Sequence, residues 1–189
     1  MSNSSVDKMI LDWHDIQCMT ARLARDISIT GWRPDYVVGL TRGGLVPAVL
    51  LSHYFNVPMH TLKVTFRDGD ECDCESNLWM AEDAFGYVPS DEQETYKSRW
   101  DPSRRKNILI VDDINDSGAT IAWIKKDWQA GCMPGQETAW SAVWGNNVKF
   151  AVLVENASSA ETTDFSSAEI NKVEKNVWVD FAWEDWWEK

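Results

Sequence analysis

The run from Ile108 to Thr120, Ile-Leu-Ile-Val-Asp-Asp-Ile-Asn-Asp-Ser-Gly-Ala-Thr, constrains the fold more than any other stretch of this chain. Its aliphatic start, Ile108 to Val111, has the character of a strand buried on both faces of a parallel sheet. From Ser117 onward the apolar positions Ile121, Ile124 and Trp128 follow helical spacing, with Gly131 as a stop. A strand that enters a helix through Asp116-Ser117-Gly118-Ala119-Thr120 aims several backbone N–H groups at one point. The positive end of the helix dipole lies at the same place, so the turn is a candidate phosphate cradle. Asp112 and Asp113 follow the strand at its carboxyl end, where open α/β sheets bind ligands. Phosphate on one side and carboxylates on the other suit a phosphorylated sugar whose hydroxyls need acceptors. A solvated turn is the plain alternative for paired acids, and their place after a buried strand argues against it.

Two other phosphate or metal motifs fail on spacing. An EF-hand loop would use Asp113, Asn115, Ser117 and Gly118, but its bidentate Glu position is Ile124, and a strand precedes it instead of a helix. A Walker loop needs a Lys after its glycine, and none follows Gly118. A net charge of −12 and a pI near 4.6 argue against nucleic acid or a membrane surface as partner. At 189 residues the chain can build a core without staples, so one domain over 1–189 is expected. Four cysteines, Cys18, Cys72, Cys74 and Cys132, are too few for a disulfide framework and fit a reducing compartment. Cys72-Asp-Cys74 has no second pair or nearby His to complete a metal site. With no apolar leader and no membrane-spanning run, a soluble cytoplasmic protein is expected. Most of the twelve tryptophans should be core or rim packing. His14, His53 and His60 fall in no triad or ligand spacing and read as structural or surface residues.

Along the chain, Trp13 to Ile27 is amphipathic and Asp12 is a suitable cap. Tyr36 to Leu40 is a buried strand, Thr41-Arg42-Gly43-Gly44 a turn, and Leu45 to Phe55 a helix that tolerates Pro47 in its first turn. Met59 to Phe66 is the next strand. The polar, acidic stretch 67–106 exceeds the usual length of a structureless loop and reads as a lid, with Trp79 to Phe85 folding locally. Val148 to Val154 is a strand, Ser158 to Ser167 a loop, and Val177-Trp178-Val179 opens an aromatic tail. Strand, helix, strand, lid, strand, helix, strand predicts an open, mostly parallel, doubly wound α/β sheet flanked by helices.

The acidic strand-to-helix segment resembles the phosphoribosyl pyrophosphate (PRPP) motif of the type I phosphoribosyltransferases: an apolar strand, two acids, two variable residues, then Asp or Glu, Ser or Thr, Gly, a small residue and Thr. The turn Arg42-Gly43-Gly44-Leu45-Val46-Pro47 resembles the pyrophosphate loop of the xanthine-guanine members. Alone it is equally a tight turn with a surface Arg; beside the acidic motif the functional reading gains. The tail Trp178-Val179-Asp180-Phe181-Ala182-Trp183-Glu184-Asp185 looks like the hood that covers the purine in those enzymes. The resemblance implies a core at about 30–155, a lid at about 67–106 and a hood at about 156–189 joined by the N-terminal helix.

By this reading Ser117, Gly118, Ala119 and Thr120, with Asp116, hold the 5-phosphate. Thr41, Arg42 and Gly43 take the pyrophosphate, and Asp112 and Asp113 hold the ribose hydroxyls directly or through Mg²⁺. The metal is expected because a diphosphate carries more charge than Arg42 balances, and hard oxygen ligands suit it. The resemblance implies Asp116 as general acid or base at purine N7, Trp178 as the stacking ring, the Val179 carbonyl at the exocyclic edge and Asp180 in place of a hood Glu. An aromatic tail could equally be a core or dimer patch. Lys97, Arg99, Arg104, Arg105 and Lys106, near the end of the lid, are candidates to close over PRPP. One departure stands out: the purine enzymes end this fourth strand with a Lys that meets the 6-oxo group, and here Asn156 occupies that place beside Glu155. Three readings follow: transfer to a 6-oxopurine in purine salvage, transfer to another base, or a non-catalytic PRPP or nucleotide sensor. The family often forms dimers or tetramers, so a homo-oligomer is compatible with the tryptophan surplus.

Overall fold

The computed structural model describes residues 7–66, 72–92 and 99–187. In chain order the elements are β1 (Asp7–Ile10), α1 (Trp13–Ile29), β2 (Tyr36–Thr41), α2 (Leu45–Phe55), β3 (Met59–Phe66), β4 (Cys72–Cys74) and α3 (Leu78–Phe85). They continue with β5 (Ile108–Asn115), α4 (Ala119–Gly131), α5 (Glu137–Ser141), β6 (Val148–Asn156), β7 (Phe165–Ile170) and β8 (Val177–Asp180). Six strands form one sheet in the order β4-β3-β2-β5-β6-β7. The β3–β4 pair is antiparallel and the remaining pairs are parallel. The order reverses between β2 and β5, which is the switch point where such sheets open a crevice.

Alternation along β5 builds both layers of the core. Ile108 and Ile110 face α3 and α4, packing with Phe85, Trp128, Trp140 and Phe150. Leu109 and Val111 face α1 and α2, packing with Ile16, Leu23, Ile27 and Leu51. The helix α1 is held at its start by a reciprocal cap: Asp12 accepts from the Asp15 N–H at 2.8 Å and Asp15 accepts from the Asp12 N–H at 3.0 Å. Ile121, Ile124 and Trp128, the apolar stripe expected of α4, are its buried residues.

Several boundaries differ from the sequence reading. β5 and β6 run on to Asn115 and Asn156, because parallel neighbours supply hydrogen bonds after the aliphatic run has ended. Phe165 to Ser167, expected in a loop, begin β7; an edge strand of small and polar residues lacks the apolar signature. β1 pairs in parallel with β8 as a separate two-stranded sheet that carries the aromatic tail. Within 67–106, α3 buries Met80, Ala81, Ala84 and Phe85 in the main core, so this part is body and not lid. Cys74 is disulfide-bonded, whereas Cys18 and Cys132 are free thiols. The disulfide at Cys74 departs from the reading that the cysteines fit a reducing compartment. Trp128 and Trp140 are buried, but Trp13, Trp79, Trp178, Trp186 and Trp187 are exposed. Among the described residues, no helix is long and apolar enough to cross a membrane.

Candidate active site

Parallel register brings the two motifs to one sheet edge. Gly39 lies beside Val111, which sets Leu40 and Thr41 level with Asp112 and Asp113. The Thr41–Arg42 peptide bond is cis. Gly43 and Gly44 then pass directly over the acids. A Cβ on Gly43 would lie 1.8 Å from Asp113 Oδ2, and one on Gly44 would lie 2.2 Å from the Val111 carbonyl oxygen. Only glycine permits this approach. The Gly44 N–H donates to the Asp112 carboxylate, which also accepts the Asp113 N–H at 3.0 Å.

The alternation that sorts the core also separates the two acids. Asp112, on the Ile110 side, lines a cavity of about 90 Å³ with Asn115, Asp116, Ser117, Gly118, Ala119 and Thr120. Asp113, on the Val111 side, lines a wider cleft of about 750 Å³ with Arg42, Gly43, Trp178, Asp180 and Glu184. Burial, then the adjacent Asp113 charge, pushes the Asp112 carboxyl well above the usual carboxylate range. Burial also raises Asp113, and Glu184 adds to it. Two crowded, poorly solvated carboxylates are an unmet demand for positive charge.

The cradle turn is fixed by its neighbours. Gly118 caps α4 with φ of +84°, and a Cβ there would meet the Glu161 nitrogen at 2.6 Å. The loop after β6 closes on this turn: the Ala160 N–H donates to the Ser117 carbonyl at 3.2 Å, and Asn115 Nδ2 donates to the Glu161 carbonyl at 2.6 Å. Lys125 pairs with Glu161 at 2.6 Å. The first N–H groups of α4 have no partner within the helix; that of Ala119 donates to Ser117 Oγ at 3.3 Å, and the turn lines one cavity with Asp116.

This arrangement, a phosphate-sized turn and a glycine loop meeting at paired acids under an aromatic hood, accords with a comparison against protein families. The phosphoribosyl transferase domain model matches residues 7–186. The chain belongs to the phosphoribosyltransferase family. Among curated relatives it is similar to a xanthine-guanine phosphoribosyltransferase of Cereibacter sphaeroides, 24% identical over 173 residues that cover 86% of this chain and 83% of that one. Among solved structures it is similar to a Helicobacter pylori xanthine-guanine-hypoxanthine phosphoribosyltransferase, with TM-score 0.64, 16% identity and 96% of each chain covered. A Pyrococcus horikoshii purine phosphoribosyltransferase gives TM-score 0.61, 23% identity and 94% of each chain covered. At these identities the solved structures speak to the fold.

The family site places the remaining sequence candidates unevenly. Trp178 is exposed on the cleft with Asp180, while the Val179 side chain is buried against the α1 layer. Trp183 of the aromatic tail and Lys8 of β1 also line this cleft; the Asp7–Ile10 strand is too short and polar for periodicity to have shown Lys8. Asn156 is not in the cleft. It is buried, and its Nδ2 donates to the Asp116 carbonyl at 2.8 Å and to Asp116 Oδ1 at 3.3 Å. Its Oδ1 accepts from Ser158 Oγ at 2.8 Å and from the Lys172 N–H at 3.1 Å. Both amide hydrogens are therefore spent on Asp116, and the expectation that Asn156 meets the base is corrected to a bracing role.

The basic residues expected to close over PRPP also lie elsewhere. Lys106 pairs with Asp83 at 3.1 Å, and Arg105 donates to the Phe85 and Ala142 carbonyls at 3.3 Å each. Both line a cavity with Asp35 and Tyr36 at the amino ends of β2 and β5, opposite the acids. Arg104 pairs with Glu92 at 2.5 Å. Arg99 lines a pocket with Cys132 and Met133, beyond the far end of α4. Lys97 lies outside the described residues.

Proposed function

We propose that this phosphoribosyltransferase transfers the 5-phosphoribosyl group of PRPP to a 6-oxopurine, as in purine salvage. The contact of Gly43 and Gly44 with Asp113 and Asp112 carries the reading, because it joins a diphosphate loop to ribose acceptors at one point. The α4 turn from Ser117 to Thr120 holds the 5-phosphate through backbone N–H and hydroxyl donors. Arg42, with the Thr41 and Gly43 backbone, receives the diphosphate. Asp112 and Asp113 accept the ribose hydroxyls and offer the hard oxygens that suit Mg²⁺. An ion there would be held by one or both of these carboxylates together with substrate oxygens. Bound there, the ion would neutralise diphosphate charge.

The bond from ribose carbon 1 to the diphosphate breaks as the bond to the purine nitrogen forms, and the diphosphate departs with the bonding pair. The carboxylates beside the ring stabilise the cationic character that develops at carbon 1. Asp116 accepts the proton that the base gives up at N7. Trp178 stacks on the purine across the exposed face of the cleft. Similarity to a curated xanthine-guanine phosphoribosyltransferase supports the purine class.

An acceptor screen tests this. PRPP and Mg²⁺ are supplied with guanine, xanthine, hypoxanthine, adenine, uracil or orotate, and the nucleotide product is quantified. Turnover with guanine, xanthine or hypoxanthine is the expected result. Activity confined to a pyrimidine, or silence with every base, overturns it.

A further inference from the structure

The cleft on the Asp113 side is short of positive charge. The described residues that line it include four carboxylates, Asp113, Asp180, Glu184 and Asp185, and two cations, Arg42 and Lys8. Arg42 belongs to the glycine loop. Lys8 reaches the cleft from β1, and strand alternation explains how. β1 and β8 run parallel with Lys8 beside Trp178, Met9 beside Val179 and Ile10 beside Asp180. Met9 and Val179 pack on the α1 layer, so the residues on either side of them turn to the opposite face. That face brings Lys8, Trp178 and Asp180 to the cleft together.

Lys8 differs from most lysines of the chain in having no acid to hold it. Among the described residues six lysines lie within 4.0 Å of a carboxylate oxygen, and Lys8 is not one of them. An exposed ammonium that shares a cleft with four carboxylates and pairs with none is available to an incoming anion. The rest of PRPP is accounted for on the Asp112 side, where the α4 turn receives the 5-phosphate. What enters beside Arg42 and Gly43 is the diphosphate, whose charge exceeds that of one guanidinium. Arg105 and Lys106 cannot supply the difference, because they line the opposite edge of the sheet.

We propose that Lys8 is the second protein cation on the diphosphate of PRPP, an inference that rests on the phosphoribosyl transfer proposed above and on no particular base. Arg42 holds the diphosphate from the sheet edge and Lys8 holds it from the hood. As the bond to ribose carbon 1 breaks, the bonding pair passes to the diphosphate oxygen, and the ammonium balances the charge that gathers there. Because Lys8 and Trp178 are neighbours in one two-stranded sheet, the same unit grips the leaving group and offers the ring on which the base stacks.

The test is calorimetry of inorganic pyrophosphate, PRPP and ribose 5-phosphate, each with Mg²⁺, on the wild type, Lys8→Met and Lys8→Arg. Lys8→Met should weaken pyrophosphate and PRPP about tenfold, the low end for a hydrogen bond between charged groups because the side chain is exposed. Ribose 5-phosphate, which lacks the diphosphate, should change less than about twofold, and Lys8→Arg should restore most of the loss. The gap between wild type and Lys8→Met should narrow as salt is raised. In turnover the loss should appear in the KM for PRPP, with the KM for the base unchanged. Equal weakening of ribose 5-phosphate would make Lys8 a general contributor to the field of the site and overturn the inference. Unchanged pyrophosphate affinity in Lys8→Met would overturn it too. Wild-type protein that binds neither PRPP nor pyrophosphate is a failure of the transfer reading itself, seen before any variant is made.

Discussion

Gly43→Ala is the sharpest perturbation of this site. The added methyl would lie 1.8 Å from Asp113 Oδ2 and 2.3 Å from its Cγ. To reach ordinary contact, the carboxylate or the loop has to retreat by about 1.6 Å. Retreat of the carboxylate withdraws a ribose acceptor; retreat of the loop moves Arg42 from the diphosphate. A displacement of about 1 Å costs on the order of 100-fold in rate when reacting groups depend on position. We therefore expect kcat/KM for PRPP to fall at least about 100-fold. Overpacking at a rim of this kind costs about 1–3 kcal/mol of stability, so the protein stays folded. At about 2–4 °C per kcal/mol for a domain of this size, the melting temperature should drop by roughly 2–12 °C. Pyrophosphate release and thermal melting, measured on the same preparation, separate the two effects. The double variant Gly43→Ala with Asp113→Ala supplies the internal control: removing the carboxylate removes the clash, so the stability losses should not add. Activity above half of wild type in Gly43→Ala would refute the argument that this contact positions the reaction. Additive stability losses would show that the methyl meets something other than Asp113.

Asp116→Asn should lower kcat by about 10²- to 10⁴-fold while PRPP affinity, read by calorimetry, changes only a few-fold; equal loss of both would make Asp116 a binding group. Trp178→Ala should raise the KM for the base about tenfold and leave the KM for PRPP unchanged, as loss of base stacking predicts. Asn156→Leu should destabilise the protein by about 1–3 kcal/mol, because it orphans buried partners around Asp116, and a melting curve like that of wild type would contradict its bracing role. Asp112→Asn should raise the melting temperature of metal-free protein at pH 8 but not near pH 4. The folded-state pKa of Asp112 is raised, so the stability of its protonated form is complete below the unfolded carboxyl value and is lost as pH rises through the folded one. Asn keeps the acceptor for the Gly44 N–H without the buried charge; a gain of equal size at both pH values would discard that cause.

What the sequence could reveal tracks how local each signal is. β5, its turn and α4 were legible because one continuous run holds the apolar strand, the acids, the glycine with positive φ and the helical stripe. α2 was equally plain, since Leu45 to Phe55 is apolar except at Ser52 and His53 and is bounded by Gly44 and Asn56. Signals that depend on a distant partner were not readable. β1 and β8 exist through their pairing with each other, and β7 exists because β6 lies alongside. Arg105 and Lys106 looked available to a diphosphate until the sheet direction placed them at the wrong edge. Asn156 looked like a base ligand because its alignment with the missing lysine gave its position and not its hydrogen bonds. Lys8 could not be found at all from spacing, because only the pairing of β1 with β8 sets it beside Trp178.

Phosphorus NMR of PRPP, titrated with the protein in the presence of Mg²⁺, tests the seating of that ligand most directly. The 5-phosphate and the two diphosphate phosphorus atoms resonate separately. All three signals should move on binding, and Thr120→Val should cancel or reduce the movement of the 5-phosphate signal while the diphosphate signals still respond. Absence of any shift, or a 5-phosphate signal indifferent both to the protein and to Thr120, would contradict the account.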